Sequence, residues 1–336
     1  MYGQLQICGN GQLKEYVQVG SAESLRQDCK ESNQALLASM KEDEFAAELH
    51  RLTIEDARLG RMTFPVPANE CCLSGTKLHP RFGVEQGLKT NGQKKIRAVD
   101  NVSWGLCEGR RIKKRMREFS VNGHSAIPEQ VKHDHIDCLA ASMSRMVLLM
   151  GVTPGIFKAD IAAAFRRIPI MPEHMWAAGV AYIFDGVVYV SWHKACMFGA
   201  TSSVYNWDRI GALLTCIIIR VLNICLFRYV DDLFACERPA SMQHAMLCVA
   251  RLVRLLLGPE AIDNNKLHFG TSLDVLGISC MLDRNGLCLR PAADKKKKCL
   301  ETILGALESG VLHAGCAQKL AGRLSWAQTF TSWVGQ

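Results

Sequence analysis

The sequence lacks the cysteine patterns that mark zinc-binding and disulfide-stabilised domains. Its 15 cysteines include no Cys-x-x-Cys pair, and the adjacent Cys71 and Cys72 cannot chelate a metal as the ligand pairs of a zinc ribbon do. Most of the cysteines lie in apolar stretches, which is typical of reduced core residues in an intracellular protein. We therefore expect neither a zinc ribbon nor a disulfide framework.

The sequence also lacks an N-terminal apolar leader and an apolar run long enough to cross a bilayer. Residues 1–20 contain no continuous apolar core, so no signal peptide is predicted. The most hydrophobic stretch, residues 213–227, is interrupted by Arg220 and Asn223 and is too short to span a membrane. We expect a buried helix there, and a soluble, intracellular protein (cytoplasmic, nuclear or both) without a membrane partner.

Acidic residues are outnumbered by basic ones. The chain has 336 residues, of which 49% are hydrophobic, and a net charge of +8. This length can bury a substantial core and suits one multi-lobed catalytic domain or two small ones. The positive balance favours a polyanionic partner, because Lys and Arg side chains neutralise phosphates and release counterions.

Two adjacent carboxylates, Asp231 and Asp232, stand between two short apolar runs. The runs are residues 224–227 and 233–236, and the pattern predicts a β-hairpin whose two-residue tip carries the acidic pair out of the core. A second hairpin with an Asp-Gly turn is predicted over residues 182–190. Adjacent like charges repel each other, and a pair of Mg²⁺ ions can compensate them while promoting phosphoryl transfer.

A third carboxylate, Asp160, is predicted at the end of another strand. Phe157–Asp160 follows the turn signal of residues 153–155, and residues 161–165 predict a helical turn. Asp-Asp is also a common turn dipeptide. Because two metal ions need ligands from more than one element, a carboxylate at a second strand end favours the metal-site interpretation. Phe165 follows Asp160 by five residues, just over one helical turn. Its ring could therefore lie near a ligand bound at Asp160 and sense a ribose 2′ substituent.

Further motifs extend this pattern over about residues 80–290. In chain order the segments are Lys95–Asp100, Asp160–Ile170, Met197–Ser203, Tyr229–Asp232, and Asn265–Phe269 with Leu276–Ile278. Their order and content resemble those of the reverse transcriptases of retroelements. The resemblance implies an α+β, right-hand polymerase fold with fingers, a palm made of an antiparallel sheet packed on helices, and a partial helical thumb.

The resemblance also implies a division of the chain into four regions. Residues 1–60 are expected to form an N-terminal helical extension of unknown role, 61–150 the fingers with a basic insertion near 104–117, 151–285 the palm with the catalytic carboxylates, and 286–336 a partial thumb or connection. The basic residues Lys295–Lys298 begin the expected thumb, where they would either contact nucleic acid or form an exposed helix face.

By this resemblance the chain is expected to be an RNA-directed DNA polymerase. It would add deoxynucleotides to a primer 3′-hydroxyl on an RNA or DNA template, using two Mg²⁺ ions, with Mn²⁺ as a substitute. The implied catalytic and metal-binding residues are Asp160, Asp231, Asp232 and, through its backbone carbonyl, Ile161. The implied nucleotide-binding residues are Lys95, Arg97, Ile161, Phe165, Phe198, Gly199 and Lys266.

Individual roles follow from the same resemblance. Lys95 and Arg97 would neutralise the triphosphate, and Lys266 is a candidate donor to the leaving pyrophosphate. A ring at Phe165 packed against the sugar would exclude a 2′-hydroxyl and so favour deoxynucleotides. Gly199 would let its loop approach the templating base pair closely, with the neighbouring phenylalanine bordering the nucleotide pocket.

Two alternatives stay open. The segment 104–117 looks like an insertion, and one that disrupts the fingers would leave a catalytically inactive remnant that still binds nucleic acid. An RNA-dependent RNA polymerase shares the palm, but Phe165 and Val230 disfavour it. Ala98 and Met197 stand where the family usually has proline, and neither change removes a functional group.

The type of element is only partly indicated. Residues 319–326 resemble elements of the tyrosine-recombinase (DIRS-like) retrotransposon type, and an LTR retrotransposon is the other candidate. No second set of carboxylates suggests a ribonuclease H domain after the thumb. The chain is therefore expected to be one piece of an element polyprotein, with the other domains as partners, or a truncated gene product.

Overall fold

The protein is described by a computed structural model that covers residues 22–27, 29–88, 92–105, 120–125, 130–283 and 286–331. The chain divides into two compact units, the first formed by Met1–Glu129 and Ile168–Tyr205 and the second by Gln130–Arg167 and Asn206–Gln336. Of the insertion predicted near residues 104–117, only residues 104–105 lie within the described part of the chain.

Helices and strands are interspersed along the described residues. The helices are α1 (Ala22–Gln27), α2 (Cys29–Ser39), α3 (Ala46–Arg58), α4 (Ile136–Met150), α5 (Thr201–Ile217), α6 (Pro239–Leu257), α7 (Ala293–Ser309) and α8 (Ala314–Thr331). The strands are β1 (Val66–Pro67), β2 (Leu78–Leu88), β3 (Lys94–Asp100), β4 (Gly155–Asp160), β5 (Gly179–Phe184), β6 (Val187–Trp192), β7 (Leu226–Tyr229), β8 (Asp232–Glu237), β9 (His268–Gly270), β10 (Ser272–Val275), β11 (Ile278–Asp283) and β12 (Gly286–Pro291). This mixed content agrees with the α+β expectation, whereas the finger, palm and thumb layout and the four-region division stay predictions.

The first unit contains a five-stranded sheet in the order β1-β6-β5-β2-β3. β2 and β5 run parallel, and the other neighbours are antiparallel. The predicted β5–β6 hairpin is confirmed, because Asp185 and Gly186 have φ of 51° and 70°, as the twist of a type I′ turn requires. Leu36 of α2 packs with Leu78 and Ala181 of the sheet to form a core.

A buried ion network joins three segments of the first unit. Arg81 on β2 donates to both oxygens of Asp100 at the end of β3, at 2.9 and 3.1 Å. Nε2 of His193, just after β6, lies 2.9 Å from Oδ2 of Asp100. Buried charges are costly unless they are paired and hydrogen-bonded. The network therefore fixes the end of β3 against the segment that leaves β6.

Gly199 lies in that outgoing segment, at a position that excludes any larger residue. Its φ is 94°, and a Cβ built on it would overlap the backbone carbonyl oxygen of Asp100. The side-chain amide of Asn122 holds the same loop, since it donates to the Gly199 carbonyl at 2.8 Å and accepts from the Thr201 amide at 2.8 Å. The loop is thus fixed directly against the end of β3.

The second unit contains two antiparallel sheets. The four-stranded sheet has the order β7-β8-β4-β9, and the three-stranded sheet has the order β10-β11-β12. α6 packs on β4 and β8, and Val249 and Val253 lie on its buried face. On the other side, Leu139 and Met143 of α4 join Phe234 in a core that β10 and β11 complete. Both faces at the centre of the four-stranded sheet are therefore covered.

The expected buried helix over residues 213–227 was wrong in extent. α5 ends at Ile217, one π-helical turn follows at Ile218–Leu222, and β7 begins at Leu226. Leu213 and Val221 are 58% and 70% exposed. Only one side of the helix has a core to pack on, so the apolar residues on the other side remain in solvent.

α6 meets the length and composition criteria of a membrane span, alone among the described helices. Core helices of water-soluble proteins meet the same criteria. In this chain α6 buries one face on the four-stranded sheet, as a core helix does.

We expect Gly199→Ala to lower the free energy of unfolding by about 3 kcal/mol or more, because positive-φ strain adds to the overlap with the Asp100 carbonyl. Urea denaturation would measure the loss. Gly60→Ala is the matched control: Gly60 has φ 71°, and an added Cβ meets no atom within 4 Å. It should cost only about 1 kcal/mol. Equal losses in the two variants would contradict the close approach at Gly199.

Candidate active site

The predicted carboxylate residues meet at one end of the four-stranded sheet in the second unit. Asp160 is the last residue of β4, Asp232 is the first of β8, and the two are direct partners in the antiparallel pairing. Such partners project from the same face with Cβ atoms about 4.5–5.5 Å apart. Asp231 is tied to the same point, because its carbonyl accepts a hydrogen bond from the Ile161 amide at 3.0 Å. The structure brings these residues together, and their catalytic and metal-binding roles stay predictions.

The tip of the β7–β8 hairpin differs by one residue from the predicted tip. Tyr229 pairs with Asp232, so the two turn residues are Val230 and Asp231 rather than the two aspartates. Val230 has φ 53°, an uncommon conformation for a β-branched residue. Asp232 therefore belongs to the sheet, where the ladder fixes its direction, and only Asp231 stands in the turn.

Side chains that the sequence analysis did not identify hold this turn. The Val230 carbonyl accepts from Nε1 of the buried Trp207 at 2.8 Å and from Arg228 at 3.2 Å. Arg228 is buried and pairs with Asp208 at 2.6 Å. Gly211 makes room for it, since a Cβ there would lie 2.8 Å from the guanidinium. The sequence signal was a charged residue inside an apolar strand, which implies a buried partner.

The segment after Asp160 also departs from its prediction. The helical turn expected over residues 161–165 begins only at Ala164, as a 3₁₀ turn. The Ile161 amide is bonded to Asp231, the Ala162 amide donates to the Ala261 carbonyl at 2.8 Å, and Ala163 has φ 52°. The positive φ of Ala163 lies outside the right-handed helical region, so the helical conformation begins only after it. Phe165 lies half-buried in the 3₁₀ turn.

Negative charge is concentrated at this end of the sheet. Partial burial, followed by the neighbouring Asp231 and Asp160, raises the pKa of Asp232 to about 6, while Lys158 and Lys266 act in the opposite direction. The ammonium of Lys266 forms an ion pair with Asp160. Each cation offsets part of the repulsion among the carboxylates.

The donor chemistry of this cluster suits a hard divalent cation, because carboxylate and carbonyl oxygens are the ligands that Mg²⁺ prefers. Burial and the two neighbouring carboxylates raise the pKa of Asp232, and a bound cation would favour its ionised form. Among the described residues, no group of three or more His, Cys, Asp or Glu side chains is already arranged around a common metal position. The Asp160 carboxylate is paired with Lys266, so an ion that bound it would compete with that ammonium.

Four of the predicted nucleotide-binding residues lie in the first unit. Lys95 and Arg97 are exposed on β3, and alternate residues of a strand point to the same face. The Arg97 guanidinium lies over the Phe198 ring at 4.3 Å from its centroid, a cation–π contact. Gly199 follows Phe198 in the loop fixed against β3. These four thus form one group. In the second unit the structure brings together the other predicted site residues except Phe165, namely Asp160, Ile161, Asp231, Asp232 and Lys266; Phe165 lies in the 3₁₀ turn that follows.

Comparison with known proteins gives similarity in fold. No protein-family model and no curated protein matches the sequence. One similar solved structure is the foamy viral protease-reverse transcriptase in complex with an RNA/DNA hybrid, with a TM-score of 0.53 and 15% identity over 85% of this chain and 31% of that chain. Another is the foamy viral protease-reverse transcriptase dRH in complex with double-stranded DNA, with a TM-score of 0.51 and 16% identity over 82% of this chain and 40% of that chain.

These similarities show that the fold of the chain is similar to that of a reverse transcriptase. The chain spans less than half the length of either structure. Because one fold can carry unrelated activities, the activity of this chain depends on the residues of the carboxylate cluster.

The raised pKa of Asp232 predicts a stability that depends on pH. The folded chain holds the proton of the Asp232 carboxyl more tightly than the unfolded chain does. The stability that this proton adds to the folded chain is therefore present below pH 4 and is lost as the pH rises through about 6. In the presence of a chelator, Asp232→Asn should raise the Tm by about 2 °C at pH 8 and leave it unchanged at pH 4. The rise is small because Asp232 is partly screened by solvent.

Thermal melts at the two pH values would test this dependence. Asp185→Asn, at the exposed β5–β6 turn, is the control and should change the Tm at neither pH. A Tm for Asp232→Asn that stays at or below the parent's at pH 8 would show that Asp232 carries no electrostatic cost.

Proposed function

We propose that the chain is the polymerase region of a retroelement reverse transcriptase, an RNA-directed DNA polymerase. The main support for this proposal is the register of β4 on β8. It sets Asp160 opposite Asp232 and beside Asp231. The similarity of the fold to the foamy viral protease-reverse transcriptase supports it. A chance Asp-Asp turn would not require a third carboxylate residue at the same point of the sheet.

In this proposal Asp160, Asp231, Asp232 and the Ile161 carbonyl hold two Mg²⁺ ions, with Mn²⁺ as a substitute. When bound, the ions activate the primer 3′-hydroxyl and stabilise the leaving pyrophosphate. The chain contributes oxygen donors on hydrogen-bonded neighbouring segments, so little reorganisation is needed when the reaction begins. Lys266 pairs with Asp160 in the structure, and exchanging that partner for a phosphate oxygen would make it the donor to the pyrophosphate.

The triphosphate would be bound by the basic residues of β3. Lys95 and Arg97 are exposed, and stacking on Phe198 orients the planar guanidinium while leaving its N–H groups for phosphate oxygens. Asn122 and the buried Asp100 fix the loop that carries Phe198. The stacked pair is therefore held on a fixed loop, which lowers the entropy cost of binding a nucleotide.

The partners proposed for the chain are an RNA or DNA template with its primer, and deoxynucleoside triphosphates. The two similar structures are complexes with an RNA/DNA hybrid and with double-stranded DNA, and the net charge of +8 favours such polyanions. Lys295–Lys298 are exposed at the start of α7. We further propose that the chain acts inside the cell, that other domains of a polyprotein are its partners, and that it derives from a tyrosine-recombinase or LTR element.

The parent chain should extend oligo(dT) on poly(rA) with dTTP and Mg²⁺. The double variant Asp231→Asn with Asp232→Asn should lose at least about 100-fold of this activity, because the developing charge is no longer stabilised. Primer extension resolved on a gel would measure both. Asp185→Asn is the control carboxylate and should retain full activity. A folded parent that binds the duplex but extends nothing would favour the inactive remnant.

Phe165→Ala should raise the use of ribonucleotides relative to deoxynucleotides by about tenfold or more, since removing the ring leaves room for the 2′-hydroxyl. Single-nucleotide incorporation with UTP and dTTP would measure the ratio of kcat/KM. Phe64→Ala, which removes a phenylalanine that is 59% exposed, is the matched control. A parent chain that uses both sugars equally would instead support an RNA polymerase.

A further inference from the structure

Two cysteines lie at the base of the hairpin that carries Asp231 and Asp232: Cys225 directly precedes β7, and Cys236 lies in β8. Leu226 of β7 is paired with Ala235 of β8, so extending the register by one position sets Cys225 opposite Cys236. Opposite residues of an antiparallel pair have Cα atoms about 4.5 or 5.5 Å apart. Disulfides join Cα atoms about 4.4–6.8 Å apart, so this pairing could be bridged with little movement of the backbone.

Contacts through one hydroxyl place both thiols on the same side of the sheet. Oγ of Ser142 on α4 lies 3.5 Å from Sγ of Cys225. Burial raises the pKa of the Cys236 thiol and the nearby Cys225 raises it further, whereas a hydrogen bond from Ser142 lowers it. The same serine therefore reaches both sulfur atoms, and the two thiols are close enough to interact electrostatically.

We propose that Cys225 and Cys236 form an oxidisable dithiol that closes reversibly into a cross-strand disulfide, with a hydroperoxide as the oxidant. Cys225 is exposed and Cys236 is only 2% exposed. A small oxidant therefore reaches Cys225 first, and Cys236 acts as the resolving thiol. This inference does not depend on the proposed function, because it concerns only the strand pairing and the two thiols.

Hydrogen peroxide can oxidise the two thiols to a disulfide in two steps. The sulfur of Cys225 attacks one peroxide oxygen, the O–O bond breaks, and Cys225 becomes a sulfenic acid as the first water leaves. The sulfur of Cys236 then attacks the sulfur of Cys225, the S–O bond breaks, and hydroxide leaves with the Cys236 proton as the second water. Two thiols lose two electrons and two protons, and one peroxide becomes two waters.

The disulfide would lie one contact away from the carboxylate cluster. The rings of Phe227 and Phe234 pack between the cysteine pair and the hairpin tip, with centroids 5.8 Å apart. A disulfide brings Cβ atoms to about 3.8 Å, closer than the about 4.5–5.5 Å of an unbridged pair. Formation of the disulfide would draw β7 and β8 together beside the rings of Phe227 and Phe234. The β7–β8 hairpin would therefore be the element that responds to oxidation.

Peptide mapping of the intact, fully reduced chain after treatment with hydrogen peroxide would test the proposal. Free thiols would be blocked with iodoacetamide, and trypsin with a Glu-specific protease would cut after Arg220, Arg228 and Glu237. The two cysteines then fall on separate peptides, residues 221–228 and 229–237. We expect this linked pair to exceed any other linked pair at least tenfold and to disappear on treatment with dithiothreitol.

Two variants separate this pair from general oxidation. Cys225→Ser should abolish the linked peptide, whereas Cys216→Ser, which removes another exposed cysteine, should leave its yield unchanged. If a variant fails to fold, the linked peptide from the parent chain still tests whether Cys225 and Cys236 form the disulfide. Oxidation of Cys225 to sulfinic acid without a link, a dominant link from Cys225 to Cys138, or a link that dithiothreitol does not reverse would each overturn the proposal.

Discussion

The pairing of β4 with β8 is the constraint on which the candidate active site depends. Because side chains alternate along a strand, a shift of one residue would turn Asp232 to the opposite face and away from Asp160. The register is fixed by burial on both faces: Ile156 and Phe157 on β4 are fully buried and face opposite sides. The apolar core therefore sets the acidic residues side by side, against the mutual repulsion of their carboxylates.

The concentration of negative charge has a structural cost that the fold tolerates. Burial and like charges raise the pKa of Asp232 to about 6, and the turn beside it keeps Val230 in a strained conformation held by Trp207 and Arg228. Strain and repulsion that the surrounding structure enforces are typical of functional sites, where a ligand relieves them. The ion pair of Lys266 with Asp160 offsets part of this repulsion.

Sequence patterns identified the strands that carry the acidic residues, and the predictions failed where distant partners decided the backbone conformation. The β5–β6 hairpin was predictable because its Asp-Gly turn favours positive φ locally. Val230 and Ala163 adopt positive φ without any such local preference, so the hairpin tip and the segment after Asp160 were both misplaced. Trp207, Asp208 and Gly211 were missed because their role exists only through Arg228 and the turn.

Residue identities and local patterns were enough to predict the chemical groups and the order of the elements that carry them: Asp160 at one strand end, the Asp231–Asp232 pair in a hairpin, and basic residues on an upstream strand. Local apolar runs and turn residues encode this much, because they act over a few neighbouring positions. Two features follow only from the folded structure: Asp160 stands opposite Asp232, and the Arg97 guanidinium lies over the Phe198 ring. Register and stacking depend on packing between segments far apart in the chain, which no local pattern records.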